Sequence, residues 1–515
     1  MVTLEARRAL FGRASEQVNE VEAEVTNGNI PDWISGSLVA NGGADYTGMQ
    51  HMFDGYAMLC KLRFSGGRVY GSQRYIQSKT FSHFSKSGGK MLHREFGTTV
   101  PTSDVLQTAA EALKLVGALA AGQDMATDNA SVNVTPLADG TIMAVSETME
   151  SKYKVDLKTL LTLKKHQYKD GLPGSLTTAH PKQLPDGSLV NFTHSFPFGG
   201  YHVYREDPVS LNRKQIAFIR DRDPGSPCWV HDIAVSMNYL VIVEPPAFID
   251  LAAIMSLKEA DLGFLAWRPD LGTRVYVVPL NGSGPVRTFN APPLFFFHTA
   301  NAYEEGGQLH VDIACSSAQS PKDMFNLIKD LRIQNILSTV PGKEISRSRL
   351  ARLSIPLGTT SSDAGPGSVP EATLLMPPRS LSKDEGSHGH FAEFPCINPS
   401  YSGLKHRYVW GTVAARPTKL GNAIGKFDVE TGEVLTWHEE GAHAGAPFFL
   451  PSPGSANEDA GVLISVVMKA SGKSSQVVVL DAATLVELGR ADLGYPVPYR
   501  FHAAFIPDNA AGSKA

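Results

Sequence analysis

From residue 36 onward the hydrophobic positions of this chain fall in short runs, among them TIMAVSE, YLVIVE, RVYVVPL, LHVDIAC, RYVWGTV, GVLISVVM and SQVVVLD. Each run is rich in β-branched and aromatic residues and is bounded by Gly, Pro, Asn or Asp, as strands between tight turns should be. They recur over the rest of the chain, more often than a single sandwich needs, and predict an all-β fold. No repeat signature of the WD or kelch kind accompanies them, so the pattern gives the class without the way the sheets close.

Other stretches break the pattern. Residues 4–24 read as a polar helical lead-in, which predicts a helical segment over 1–30, one β domain over 31–508 and a short tail over 509–515. Residues 104–122 open on Asp104 and carry apolar positions at helical spacing, and residues 250–266 do the same between strands. Both are expected to pack over the β domain as a cap or to present an apolar rim, with Leu113, Leu115, Leu119, Leu262 and Phe264 as contact residues for a membrane surface. Residues 357–374, with GTTSSDAGPGS, read as a surface loop.

Composition narrows the classes. With 42% hydrophobic and 19% charged residues the chain can bury a large core. A net charge of −4 gives no basic surface for nucleic acid. Cys60, Cys228, Cys315 and Cys396 are scattered, without a CxxC pair, and are expected as buried, reduced thiols. No apolar run reaches the length of a membrane-spanning helix. MVTLEARRALFGRAS lacks a secretory core and reads either as the remnant of a transit peptide, against which Glu5 argues, or as a first helix.

The candidate chemistry lies in four histidines: His180 in TTAHPK, His231 in WVHDIAVSMNYLVIVE, His298 in FFFHTANAYEE and His502 in YRFHAAF, with gaps of 51, 67 and 204 residues. Such gaps match no local metal motif and point to a site assembled from distant parts of one fold. Four imidazoles without a thiolate suit iron(II), copper or zinc. Four nitrogens would close a tetrahedral zinc site, but would leave two positions free on octahedral iron.

At these windows, and at GSLVANGGADYTGMQHMFDGYAMLCKLRF, ATDNASVNV, EFPCINPSYSGLKHRYVWG and PFFLPSPGSANEDAGVLISVV, the sequence resembles the carotenoid cleavage oxygenases over roughly residues 30–505. The resemblance implies a seven-bladed β-propeller with a few helices capping one Fe(II) per subunit, held by His180, His231, His298 and His502. It also implies glutamates that orient the ligands. Glu147 in SETMESKYKVDLKTL and Glu393 in EFPCINPSY match two of them; at the third, in GAPFFLP, Ala446 stands where the family has Glu. The activity implied is O2-dependent cleavage of a double bond in an apolar carotenoid or apocarotenoid, which calls for an apolar tunnel; Phe295–Phe297 and Phe448–Phe449 are candidates for its wall, or simply for packing.

FDGYAMLCKLRF, PCWVHDIAVSMNYLVIVE and WHEEGAHAGAPFFLPSPGSANEDAGVLISVV are more similar to the carlactone-synthase branch, which acts on a 9-cis apo-10′-carotenal in plastids as part of strigolactone biosynthesis. EFPCINP and Ala446 depart from it. A stilbene-cleaving dioxygenase and a retinoid isomerase are rivals within the fold, and a non-catalytic propeller that binds partners is the rival of another class. The remaining histidines are expected to be structural, His51 as core packing, His406 and His438 in structural windows, and His388 and His390 in a Gly/Ser loop. Asn301 and Glu304 are also expected to be structural, with Asn238 and Tyr239 at a turn after the His231 strand.

Overall fold

In a computed structural model the described residues are 1–13, 17–98, 127–195, 199–250, 253, 264–316, 320–358, 373–383 and 388–508. Their strands form seven sheets of four to six strands and one two-stranded ribbon, Ala247–Ile249 with Leu265–Trp267. Taken in chain order the seven sheets are the blades of a β-propeller.

Gly36–Gly43, Ala57–Ser65 and Arg68–Tyr75 belong to blade 1, and Asn133–Pro136 opens blade 2. Leu176–Thr177 and Lys182–Gln183 are the split inner strand of blade 3, Ala234–Val235 opens blade 4, Phe296–Glu305 blade 5 and Glu393–Cys396 blade 6. Blade 7 again has a split inner strand, His443–Ala444 and Phe448–Pro451.

The near-continuous apolar runs follow from this geometry, because a middle strand of a blade is covered on both faces by its neighbours. Gly461–Met468 and Tyr239–Glu244 are buried at almost every position. Seven apolar clusters of the described residues sit between adjacent blades. Between blades 4 and 5, for example, Val241, Val243 and Val275 meet Val311, Ile313 and Leu353. An eighth cluster, rich in aromatics and methionine, covers one end of the propeller axis with Met49, Met52, Trp229, Phe295, Phe297 and Phe325.

The ring is shut at two places. Ala503–Pro507 pairs with Gly36–Gly43 as the inner strand of blade 1, and Glu24–Gly28 pairs with Glu487–Asp492 as the outer strand of blade 7. Val18–Glu22 adds the outer strand of blade 1. The helical lead-in expected over 1–30 is therefore corrected: only Leu4–Leu10 is helical, and the two following strands belong to the propeller. Register shifts between Val18 and Val21 and between Val25 and Asn27 break the period-2 signal, and edge strands with little to bury stay polar.

Residues 104–122 lie outside the described residues, as does most of 250–266; the end of the latter is strand Leu265–Trp267 rather than helix. Most of 357–374 is likewise outside, but Thr373–Leu374 adds a parallel strand to blade 4 beside Phe289 and Asn290. No described helix is long and apolar enough to cross a membrane. The four cysteines are free, three of them buried and Cys396 half-buried.

Candidate metal centre

The inner strands deliver the histidines to one point on the axis. His180 sits in the gap between the two short inner strands of blade 3, His231 three residues ahead of the inner strand of blade 4, and His502 one residue ahead of Ala503–Pro507 in blade 1. His298 is the third residue of Phe296–Glu305, near the start of that strand.

Nε2 of His180 lies 3.3 Å from Nε2 of His231, and Nε2 of His298 lies 3.2 Å from Nε2 of His502. Donor atoms of His180, His231 and His298 all fall within 4.8 Å of one another, a grouping able to hold a metal ion. His502 joins them through His298 and through a ring contact of 4.4 Å with His180. Adjacent nitrogens on one ion, with bonds of about 2.0–2.1 Å, are separated by about 3 Å, so the donor set fits a single cation.

The protonation states of three of the four suit the same role. Burial holds His180, His298 and His502 well below the ordinary histidine range, and the neighbouring imidazoles add to the effect. Neutral imidazole is the ligand form. Burial lowers His231, but the neighbouring carboxylates, Glu147 first and then Asp232 and Glu393, together more than offset this and leave it raised.

Two carboxylates fix two of the rings. His231 donates from Nδ1 to Glu147, whose other oxygen accepts the Trp229 indole N–H at 2.9 Å. His298 donates from Nδ1 to Glu393 at 2.7 Å. Both donations leave Nε2 as a lone pair aimed inward. Burial pushes Glu393 up to about 8. Ala446, in the gap between the inner strands of blade 7, lines the same cavity as His180, His298 and His502.

Residues that sequence reasoning passed over complete the frame. Thr178 accepts the His180 N–H at 3.0 Å and donates to the His231 carbonyl, tying two histidines together. Buried Asp232 receives the Thr299 N–H and hydroxyl at 2.8 Å each and pairs with Lys182 at 2.8 Å. Asp232 and Thr299 each follow one of the four histidines, so adjacency was the available signal.

Aromatic rings crowd the centre. Phe53 stacks beside His231 and touches Phe297 and Phe501, and Phe394 lies 4.9 Å from the His298 ring. Phe448 lines the cavity, whereas Phe449 stacks on Trp410 between blades 6 and 7, a packing role. The cavity has a volume of about 250 Å³.

Buried His443 lines the same cavity against Tyr499, outside the cluster of four. Buried His51 donates to the Ile328 carbonyl, and His406 contacts Asn301 and Asp312. Asn301 donates to the Tyr401 and Leu404 carbonyls, while Glu304 accepts from Ser236 and Asn238 at the turn before Tyr239, so both hold loops.

The family model described as retinal pigment epithelial membrane protein matches residues 11–507. The chain belongs to that family, the carotenoid cleavage oxygenases. Among the relatives of this oxygenase, carotenoid cleavage dioxygenase 8 of Arabidopsis thaliana, named chloroplastic, is 30% identical over 97% of this chain and 86% of its own. Its homolog B in Oryza sativa subsp. japonica is 32% identical over 93% and 82%. The human carotenoid-cleaving dioxygenase, named mitochondrial, is 28% identical over 93% and 87%. The Synechocystis apocarotenoid oxygenase, in a Glu150Gln variant, shares the fold, with a TM-score of 0.78 at 22% identity over 98% of this chain and 99% of that one.

Proposed function

We propose that this chain is an Fe(II)-dependent dioxygenase that cleaves a double bond of an apolar carotenoid or apocarotenoid. The observation that carries the reading is the convergence of four buried histidines, two of them held by Glu147 and Glu393. His180, His231, His298 and His502 would hold one iron ion. When bound, iron supplies the binding and activation of O2. A partner-binding propeller would have no use for uncharged imidazoles turned toward one another in its core.

The chain's own residues do the rest. Glu147 and Glu393 keep the protons of His231 and His298 on Nδ1, away from the metal side. Phe53, Phe297, Phe394 and Phe501 exclude water and leave an apolar surface for a polyene that offers no charge to grip.

Within that class we favour an apocarotenoid substrate, and specifically conversion of a 9-cis apo-10′-carotenal toward carlactone in a plastid. The plant relatives named carotenoid cleavage dioxygenase 8 support this choice. Peripheral contact with a membrane through residues 104–122 and 250–266 is part of the same proposal, because the substrate dissolves in bilayers. The test is iron content of the purified protein together with turnover of a panel of all-trans and 9-cis apocarotenals and intact carotenes. Stoichiometric iron and preferred turnover of the 9-cis apocarotenal are expected. Protein that binds no iron and leaves the whole panel intact would end the reading.

A further inference from the structure

The N-terminal helix Leu4–Leu10 packs against the propeller with Val2, Ala6, Leu10 and Phe11 buried, and Leu10 lines the same cavity as His180, His298 and His502. We infer that Leu10 is the end wall of the reactive cavity and sets how long a substrate fragment fits beyond the metal centre. This rests on the function proposed above.

The helix is anchored from several sides. Thr3 receives a backbone cap from Ala6, donates its own N–H to the Gly441 carbonyl at 3.0 Å and its hydroxyl to Ala470 at 2.5 Å. Buried Arg7 spends its guanidinium on the carbonyls of Ile336 and Ser338, the latter at 3.0 Å. Past the helix, Arg13 pairs with Asp45 at 3.3 Å. Four separate parts of the chain thus hold one short helix of seven residues and its flanks, too short to keep its shape alone.

The anchored end reaches the site. The Leu10 carbonyl accepts the Tyr499 N–H at 3.1 Å, and the Phe11 ring stacks on Tyr499 at 5.4 Å. Tyr499 lies three residues ahead of His502, and Phe394 stands between the Tyr499 ring at 6.4 Å and the His298 and His502 rings at 4.9 and 5.4 Å. Leu10 therefore shares one cavity with the histidine cluster, whose wall on the Leu10 side is apolar with Phe394, Met468, Tyr499 and Phe501, while Lys182, Asp232 and Arg500 supply its polar part. A polyene is stiff, and a rigid chain end that meets a fixed wall cannot fold aside. Wall position then translates into chain-length selection.

Leu10→Ala deepens the space and Leu10→Trp fills it. Binding of an apocarotenal series of graded length is measured in the absence of O2 by quenching of tryptophan fluorescence, and kcat/KM is measured in air. The native enzyme and Leu10→Ala give a matched comparison; Leu10→Trp adds a tryptophan and is read by kcat/KM and by substrate absorption. One methylene in an apolar pocket is worth roughly 10–200-fold. The expected result is that Leu10→Ala shifts the preferred length upward by at least roughly tenfold in relative kcat/KM, that Leu10→Trp shifts it downward, and that anaerobic affinity follows the same order. Iron content and thermal midpoint report whether each variant is folded. Equal changes for every length in a folded Leu10→Ala variant, or none at all, would overturn the assignment. Failure of the native protein to hold iron or to turn over any member would instead remove the function on which it rests, and the anaerobic binding order would still judge Leu10 as a wall.

Discussion

The Nε2 atoms of His298 and His502 stand 3.2 Å apart although 204 residues separate them in sequence. The closure of the propeller brings this about. His502 leads into the inner strand of blade 1, laid down only when Ala503–Pro507 pairs with Gly36–Gly43. Assembly of the site and closure of the ring are thus one event, and changes that loosen the closure should be felt at the histidines.

The two orienting carboxylates should differ in weight. Glu393 is almost fully buried, while the Glu147 side chain is 21% exposed and shares its charge with the Trp229 N–H. Glu393→Gln is expected to lower iron affinity or turnover by roughly 10–100-fold, with a smaller loss for Glu147→Gln. Iron titration and steady-state kinetics of the two variants check this, and native values in both would remove the carboxylates from the role.

Ala446 offers the converse experiment. His231 and His298 have carboxylates on Nδ1, but no carboxylate is bonded to His502 among the described residues, and Ala446 lines the cavity that His502 faces. Ala446→Glu is expected to slow iron loss to a chelator. Faster loss in a folded variant would show that a third acid does not serve this site.

Stability should fall in mild acid. His51 accepts the Phe53 N–H on Nδ1 and donates from Nε2 to the Ile328 carbonyl, so only its neutral form satisfies both contacts. Burial pulls His51 and His443 down to about 4. An unfolded histidine titrates near 6.5, so the unfolded chain takes the proton first as pH drops. The stabilisation is complete above about pH 6.5 and is lost toward pH 4, with up to about 3 kcal/mol at stake for each residue. Buried His180, His298 and His502 contribute in the same direction, whereas His231 and Glu393, both raised, act against it. Urea unfolding at pH 7.5, 6, 5 and 4 should give a falling free energy, and a flat profile would contradict it.

The strands of the blade interiors were legible in the sequence because burial on both faces leaves long apolar runs, as in GVLISVVM and SQVVVLD. The outer strands were not. Val18–Glu22 and Glu24–Gly28 bury almost nothing and carry bulges, so neither composition nor alternation marks them. The four histidines stood out by their windows, and the structure brings all four together. Thr178, Asp232 and Trp229 did not stand out, because a threonine, an aspartate or a tryptophan beside a histidine takes on meaning only when the chain folds back to supply the bond it completes. Leu10 was equally silent, since nothing local tells a helix that walls a cavity from one that merely packs.

In the proposed function, four histidines from blades 1, 3, 4 and 5 hold one iron ion that serves cleavage of a polyene by O2. Each of His180→Ala, His231→Ala, His298→Ala and His502→Ala should lose iron and activity. The most direct measurement is mass spectrometry of the products formed by the native, iron-replete protein from an apocarotenal under ¹⁸O₂. Two fragments of the substrate, each carrying oxygen from the gas, are predicted, with neither fragment formed by the four variants. Intact or merely isomerised substrate, or label confined to one fragment with no loss to exchange in control samples, would contradict the account.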